Sequence, residues 1–333
     1  MFEIPLLLLV IIITALVFDF TNGAHDCANA IATVVSTKVL SPRAAVAMAA
    51  ILNLTGALLG TEVAHTLGAG IVRPDIVSGS HILVLAGLIG AIFWNSFTWY
   101  FGIPSSSSHA LIGGLIGAAF AHAGFDALNA LSIVKKVLLP LALSPLAGFC
   151  AGVALMSLII FVFHRVRRQT ANGFFRRAQV FSAGTMALSH GLNDAQKTMG
   201  VITLALLIFG QIDSIVVPLW VKLACSLAMA AGTSVGGWKI VKTMGHKIFK
   251  LEPAHGFAAE TSAALVIAGA SMLGAPVSTT HTITACIFGV GSTKRLSAVR
   301  WGVAGNLLVA WVLTIPAAAT VGALAFLLLD RVF

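Results

Sequence analysis

Charge is what this sequence lacks most. Only 9% of its 333 residues are Asp, Glu, Lys or Arg, whereas 58% are hydrophobic. A soluble domain carries about 25% charged residues, so a water-soluble globule is excluded. Apolar stretches of about 18–25 residues recur along the chain, each long enough to cross about 30 Å of hydrocarbon. No soluble domain fits between them. Met1 to Pro5 holds no basic n-region and no small-residue cleavage site follows. Leu6 to Thr21 is therefore expected to be a retained helix. Cysteine is scarce too. Cys27, Cys150, Cys225 and Cys286 lie in apolar segments, at spacings that match no metal site or disulfide framework. Gly-x-Ser-x-Gly and metal-hydrolase motifs are missing, which argues against catalysis. The net charge of +9 does not imply a nucleic-acid partner, because in a membrane chain basic residues collect in cytoplasmic loops.

What is present is a pair of polar interruptions, and each occurs twice. Pro104-Ser105-Ser106-Ser107-Ser108-His109 has a near-copy in Pro276-Val277-Ser278-Thr279-Thr280-His281. Asn22-Gly23-Ala24-His25-Asp26 has a counterpart in His190-Gly191-Leu192-Asn193-Asp194. Gly60-Thr61-Glu62-Val63 answers Gly232-Thr233-Ser234-Val235. Three anchors in one order at nearly one separation indicate a duplication. The expected fold is an all-α polytopic membrane protein, with about ten transmembrane segments in two inverted-topology repeats with broken helices. Residues 1–163 form the first repeat, 164–177 a basic cytoplasmic linker and 178–333 the second repeat. Each half offers about five crossings. An odd number turns the second half upside down.

The basic residues agree with that inversion. With the N-terminus outside, Lys38, Arg43, Arg165, Arg167, Arg168, Arg176, Arg177, Lys239, Lys242, Lys247, Lys250, Lys294, Arg295 and Arg300 fall inside. Arg73, Lys135, Lys136 and Arg331 fall outside.

The chemistry follows from residue types. Asp26 and Asp194 are carboxylates at membrane depth, where an Asp costs about 2.5–3.5 kcal/mol on the insertion scale. Gly23 and Gly191 are expected to break the helix beside each, freeing carbonyls for a small cation, with Asn29, Asn193 and Gln196 adding amide oxygens. His25 is a candidate for proton or metal coupling. Asp19 is a candidate proton site or buried partner, and Glu260 is placed where it can snorkel. In the Ser/Thr clusters, each proline is expected to end one helix and start the next. The hydroxyls and free N–H groups then sit at a helix N-terminus, which attracts anions. Neither cluster contains Arg or Lys, so a tetrahedral anion is gripped without a fixed charge and can leave. The alternative is that the hydroxyls and histidines only tie helices together.

Together these motifs, including Gln196-Lys197 after Asp194, resemble the inorganic phosphate transporter (PiT) family, and within it the bacterial low-affinity Pit permeases. The resemblance covers essentially the whole chain. It implies a symporter importing inorganic phosphate through a bacterial inner membrane, with no catalytic residue and no bound cofactor. Residue by residue, it assigns phosphate to Ser105, Ser106, Ser107, Ser108, Ser278, Thr279 and Thr280, with Gln196 nearby. It assigns the coupling cation or proton to Asp26, Asn29, Asn193 and Asp194, with His25 alongside. His25 stands where the widespread form of the motif has Asn. That departure favours H+ over Na+ and allows phosphate to travel as a complex with a divalent metal such as Mg. The large hydrophilic insert of many members is missing. A sodium-coupled symporter, a sulfate permease, an anion channel and a homodimeric assembly stay open.

Overall fold

The computed structural model describes residues 5–70 and 80–332. Arg73, expected in an outer loop, lies outside them. The described residues form helices and no strand. The longer ones, in chain order, are α1 (Leu6–Ser36), α2 (Pro42–Ala57), α3 (Glu62–Gly70), α4 (Leu83–Phe101), α5 (Ser107–Ala123), α6 (Leu139–Phe163), α7 (Arg168–Ile208), α8 (Leu219–Val235), α9 (Pro253–Met272), α10 (Thr279–Lys294) and α11 (Trp301–Leu329). Local chemistry sets many of the ends. The Ser41 hydroxyl accepts from Ala44 N at 3.3 Å and Pro42 opens α2. Glu252 and His255 form a reciprocal cap on α9, which Pro253 opens.

Among the described residues, five helices are long and apolar enough to cross a membrane: Leu6–Ser36, Leu83–Phe101, Ser107–Ala127, Ala130–Phe163 and Trp301–Leu329. Leu219–Val235 with Trp238–Lys247, bent by 62°, makes a sixth as one broken span. The expected ten is not reached on length and apolarity alone. α2 and α10 are only 16 residues long, and α7 and α9 fall short because buried polar residues occupy apolar places. The basic linker is also mostly helix: α7 starts at Arg168, leaving 164–167 outside it.

The helix breaks differ from expectation. Gly23 and Gly191 do not break anything; α1 is continuous for 31 residues and α7 for 41. These glycines serve close crossing instead. A Cβ on Gly23 would lie 2.3 Å from the Met229 carbonyl of α8, and one on Gly191 would lie 2.1 Å from the Asn53 carbonyl of α2. So α1 crosses α8 and α7 crosses α2 with backbones nearly touching. The true breaks lie before the two hydroxyl clusters. Gly102 and Gly274, both at φ 67°, end α4 and α9. Ile103 N then bonds Thr98 O at 2.9 Å and Ala275 N bonds Ala270 O at 2.9 Å, the reach-back of a left-handed C-terminal cap.

The halves interleave. The last helix of the second half, α11, packs on α4 and α5, and the last helix of the first half, α6, packs on α9 and α10. Two apolar cores result. One contains Leu8, Phe18, Leu88, Leu115 and Val221; the other contains Ile31, Met156, Met186, Ile267 and Ile287. The N-terminal part of α1 belongs to the first core and its C-terminal part to the second. The polar stretch from Asn22 to Asn29 lies between them.

Candidate substrate and ion site

The tips of α5 and α10 form one side of this polar layer. Ser106 and Ser278 are the N-caps, each accepting from the backbone N–H three residues on, His109 and His281, at 3.2 Å. Each proline sits two residues before its cap and not inside the helix, because a serine hydroxyl captures the free N–H groups. The two tips meet. The His109 and His281 ring centroids are 4.6 Å apart, and His281 stacks on Trp311 at 3.9 Å. Ser108 Oγ donates to the Val277 carbonyl at 3.3 Å. Ser107 Oγ is buried without a hydrogen-bond partner. Ser105 turns away from the tip and donates to Thr98 at 2.8 Å, with His25 Nε2 3.3 Å off.

α1 and α7 supply the opposite side. Asp26 Oδ1 is 2.6 Å from His25 Nδ1 and accepts from Thr280 at 3.1 Å. Asp194 Oδ1 pairs with Lys197 Nζ at 2.5 Å, and its Oδ2 accepts from Thr279 at 3.0 Å. His190 Nε2 stands 3.1 Å from the same Oδ2, close enough to pair as a charge, though unaligned as a hydrogen bond. His190 Nδ1 contacts Asn53 Oδ1 at 3.1 Å, and Asn53 donates to Thr233 at 2.9 Å. Asn29 Nδ2 donates to Thr279 at 3.2 Å and to Thr280 at 3.0 Å. One ligand atom each from Asp26, His190 and Asp194 lie within 4.8 Å of one another. All of these side chains are buried.

The residues singled out in the sequence therefore divide. His25, Asp26, Asn29, Asp194, Ser106, Ser107, Ser108, Ser278, Thr279 and Thr280 share this layer. Gln196 makes no hydrogen bond to the hydroxyls. Its Oε1 accepts from Val63 N at 2.7 Å at the start of α3, and its Nε2 donates to Leu192 O at 2.7 Å. Asn193 turns to α9 and donates to Ser271 at 2.7 Å. Asp19 is buried with neither carboxylate oxygen partnered. Glu260 does not snorkel. It is 0% exposed and accepts from Thr33 at 2.5 Å, from Gln179 at 3.0 Å and from Ser182.

His190 was legible and overlooked. It lies one helical turn before Asp194, the spacing at which side chains meet. Thr98, Asn53 and Ser271 left no local signal.

Comparison with known proteins agrees with this plan. The model of the phosphate transporter family matches the chain twice, over residues 22–172 and 163–322. A probable low-affinity inorganic phosphate transporter of Bacillus subtilis (strain 168) is 47% identical, over 98% of this chain and 98% of its own length. One from Rhizobium meliloti (strain 1021), with the same description, is 51% identical over 98% and 97%. A solved structure of a sodium-dependent phosphate transporter superposes with a TM-score of 0.89 at 24% identity, covering 98% of this chain and 100% of its own. That likeness carries the fold. These relatives are named for transport and not for catalysis, and the apolar helices make the chain a multi-pass membrane protein. It belongs to the phosphate transporter family.

Proposed function

We propose that the chain imports inorganic phosphate by symport, with the proton as coupling ion, across a bacterial inner membrane. One observation carries the reading. Two capped helix tips, rich in hydroxyls and free of Arg and Lys, meet across a buried layer from a pair of carboxylates. The tips offer an anion dipole-oriented N–H groups and hydroxyl donors. Each cluster threonine that now donates to a carboxylate, Thr279 to Asp194 and Thr280 to Asp26, is a donor that turns to phosphate when that carboxylate is neutralised. Cation occupancy and anion binding are thereby coupled. The proton's place is the His25–Asp26 pair, with Asp19 as a second acceptor. Phosphate travels free or as a neutral complex with a divalent metal such as Mg. Residues 1–163 and 178–333 then act as two inverted repeats whose rocking exposes the layer to each side in turn.

A sodium-coupled version has one observation in its favour, the convergence of Asp26, His190 and Asp194 ligand atoms within 4.8 Å. Labelled-phosphate uptake by cells carrying Asp26→Asn or Asp194→Asn tests the core reading. Uptake is expected to vanish while the variant still reaches the membrane. Full uptake in both variants rules out the carboxylates as coupling groups. Sulfate at excess is expected to leave phosphate uptake unaffected; strong competition would favour a broader anion permease.

A further inference from the structure

Lys197 stands where its counterpart in the first half holds a neutral amide. When Asp26 is aligned with Asp194, Asn29, three residues beyond the first, falls on Lys197, three beyond the second. The structure keeps the correspondence. Asn29 Nδ2 donates to Thr280 of the second cluster at 3.0 Å, and Lys197 Nζ donates to Ser108, the equivalent hydroxyl of the first. Two half-sites of one plan thus differ by one fixed positive charge.

The surroundings of Lys197 Nζ look like those of a bound ion. Its oxygen partners are Asp194 Oδ1 at 2.5 Å, the Val277 carbonyl at 2.9 Å and Ser108 Oγ. A carboxylate, a hydroxyl and a carbonyl at a helix break are the donors that coordinate a small cation in membrane transporters. The side chain is 2% exposed, so water does not share the work. On the Asp26 side no ammonium is present among the described residues. Asp26 meets His25 Nδ1 and the Thr280 hydroxyl, and Asn29 Oδ1 is a buried acceptor with no partner. An acceptor without a donor suits a cation that comes and goes.

We propose that the Lys197 ammonium is a tethered cation that permanently fills the Asp194 half-site, so that only the Asp26 half-site binds and releases a coupling cation in each cycle. This rests on the reading of the layer as a cation-coupled phosphate site. The consequence is stoichiometric. Phosphate has to wait for one carboxylate to be neutralised, not two.

The test compares the wild-type protein with Lys197→Asn, which gives both half-sites the same residue. Phosphate binding is measured in detergent with N-methylglucamine, sodium, lithium or potassium chloride. Cations moved per phosphate are counted in proteoliposomes from the membrane potential and ion gradients that null the flux. The wild type is expected to move one coupling cation per phosphate. In Lys197→Asn, binding without small cations is expected to fall about tenfold or more, as for a buried charge left unpaired. Sodium or lithium is expected to restore it, and the count to rise by one. Three results overturn the proposal: a wild-type count of two or more; a variant that binds as tightly as wild type without small cations; or a variant that elutes and melts normally yet is rescued by no cation, which would make the ammonium a direct phosphate ligand. If the variant does not fold, the wild-type count decides alone. A wild type that neither binds nor carries phosphate would refute the underlying reading instead.

Discussion

Ser107 keeps its hydroxyl buried and unpartnered, while its neighbours are engaged. Ser106 caps α5, Ser105 is bonded to Thr98, and Ser108 faces Lys197 and Val277. Removing a buried group that has no partner is nearly neutral for folding. Ser107→Ala is therefore expected to leave the melting temperature in detergent within a degree or two, a change of about 0.5 kcal/mol or less. If the hydroxyl donates to the anion, the KM for phosphate uptake rises about fivefold to tenfold, the worth of one hydrogen bond to a charged group. Ser278→Ala is expected to do the reverse. Losing an N-cap costs about 1 kcal/mol, read as a lower melting temperature, and Ser278→Gly should recover most of it. Four motifs made the candidate residues legible because their chemistry is local to a few positions. The partners Thr98 and Asn53 were not, since each reaches the layer from another helix and looks like any other transmembrane hydroxyl or amide. Gln196 misled for the complementary reason. Its amide suits an anion, but three-dimensional placement gave it the start of α3 to satisfy.

Helices α1 and α7 show where residue-level reasoning misjudges an element. A glycine beside a membrane-depth aspartate suggests a break, yet both helices run through, and the glycines let α8 and α2 approach. Sequence alone does not separate these uses, because the atom that would clash with a side chain belongs to a distant helix. Gly191→Val forces its side chain against Asn53 O, which a Cβ would already reach at 2.1 Å. The expected cost is about 2–3 kcal/mol or loss of assembly, seen as a collapsed melting temperature and absent uptake. Gly173, earlier in the same helix, faces open space: a Cβ there would meet no atom within 4 Å. Gly173→Ala is thus expected to stabilise by about 0.5–1 kcal/mol, and a comparable loss at both glycines would argue against the crossing. The breaks that do exist were legible in half. The prolines were visible, but the left-handed Gly102 and Gly274 that end the preceding helices went unread.

For the whole molecule, the duplication was legible from its repeated motifs, and the family model's two matches agree. The interleaving was not. α6 and α11 are apolar all round, so their periodicity says nothing about which neighbours they choose. Because each packs on the other half, residues 1–163 alone are expected to be unstable and rapidly degraded, whereas co-expression with 164–333 should restore membrane protein and uptake. The buried polar layer between the two apolar cores is the proposed place of cation and anion exchange. The most direct measurement is phosphate uptake into proteoliposomes under an imposed inward proton gradient, then under an inward sodium gradient at equal pH, with and without magnesium. Accumulation driven by the proton gradient, little changed by sodium and abolished by Asp26→Asn, is the predicted result. Accumulation driven by sodium alone, or none above equilibrium under either gradient, would contradict the account.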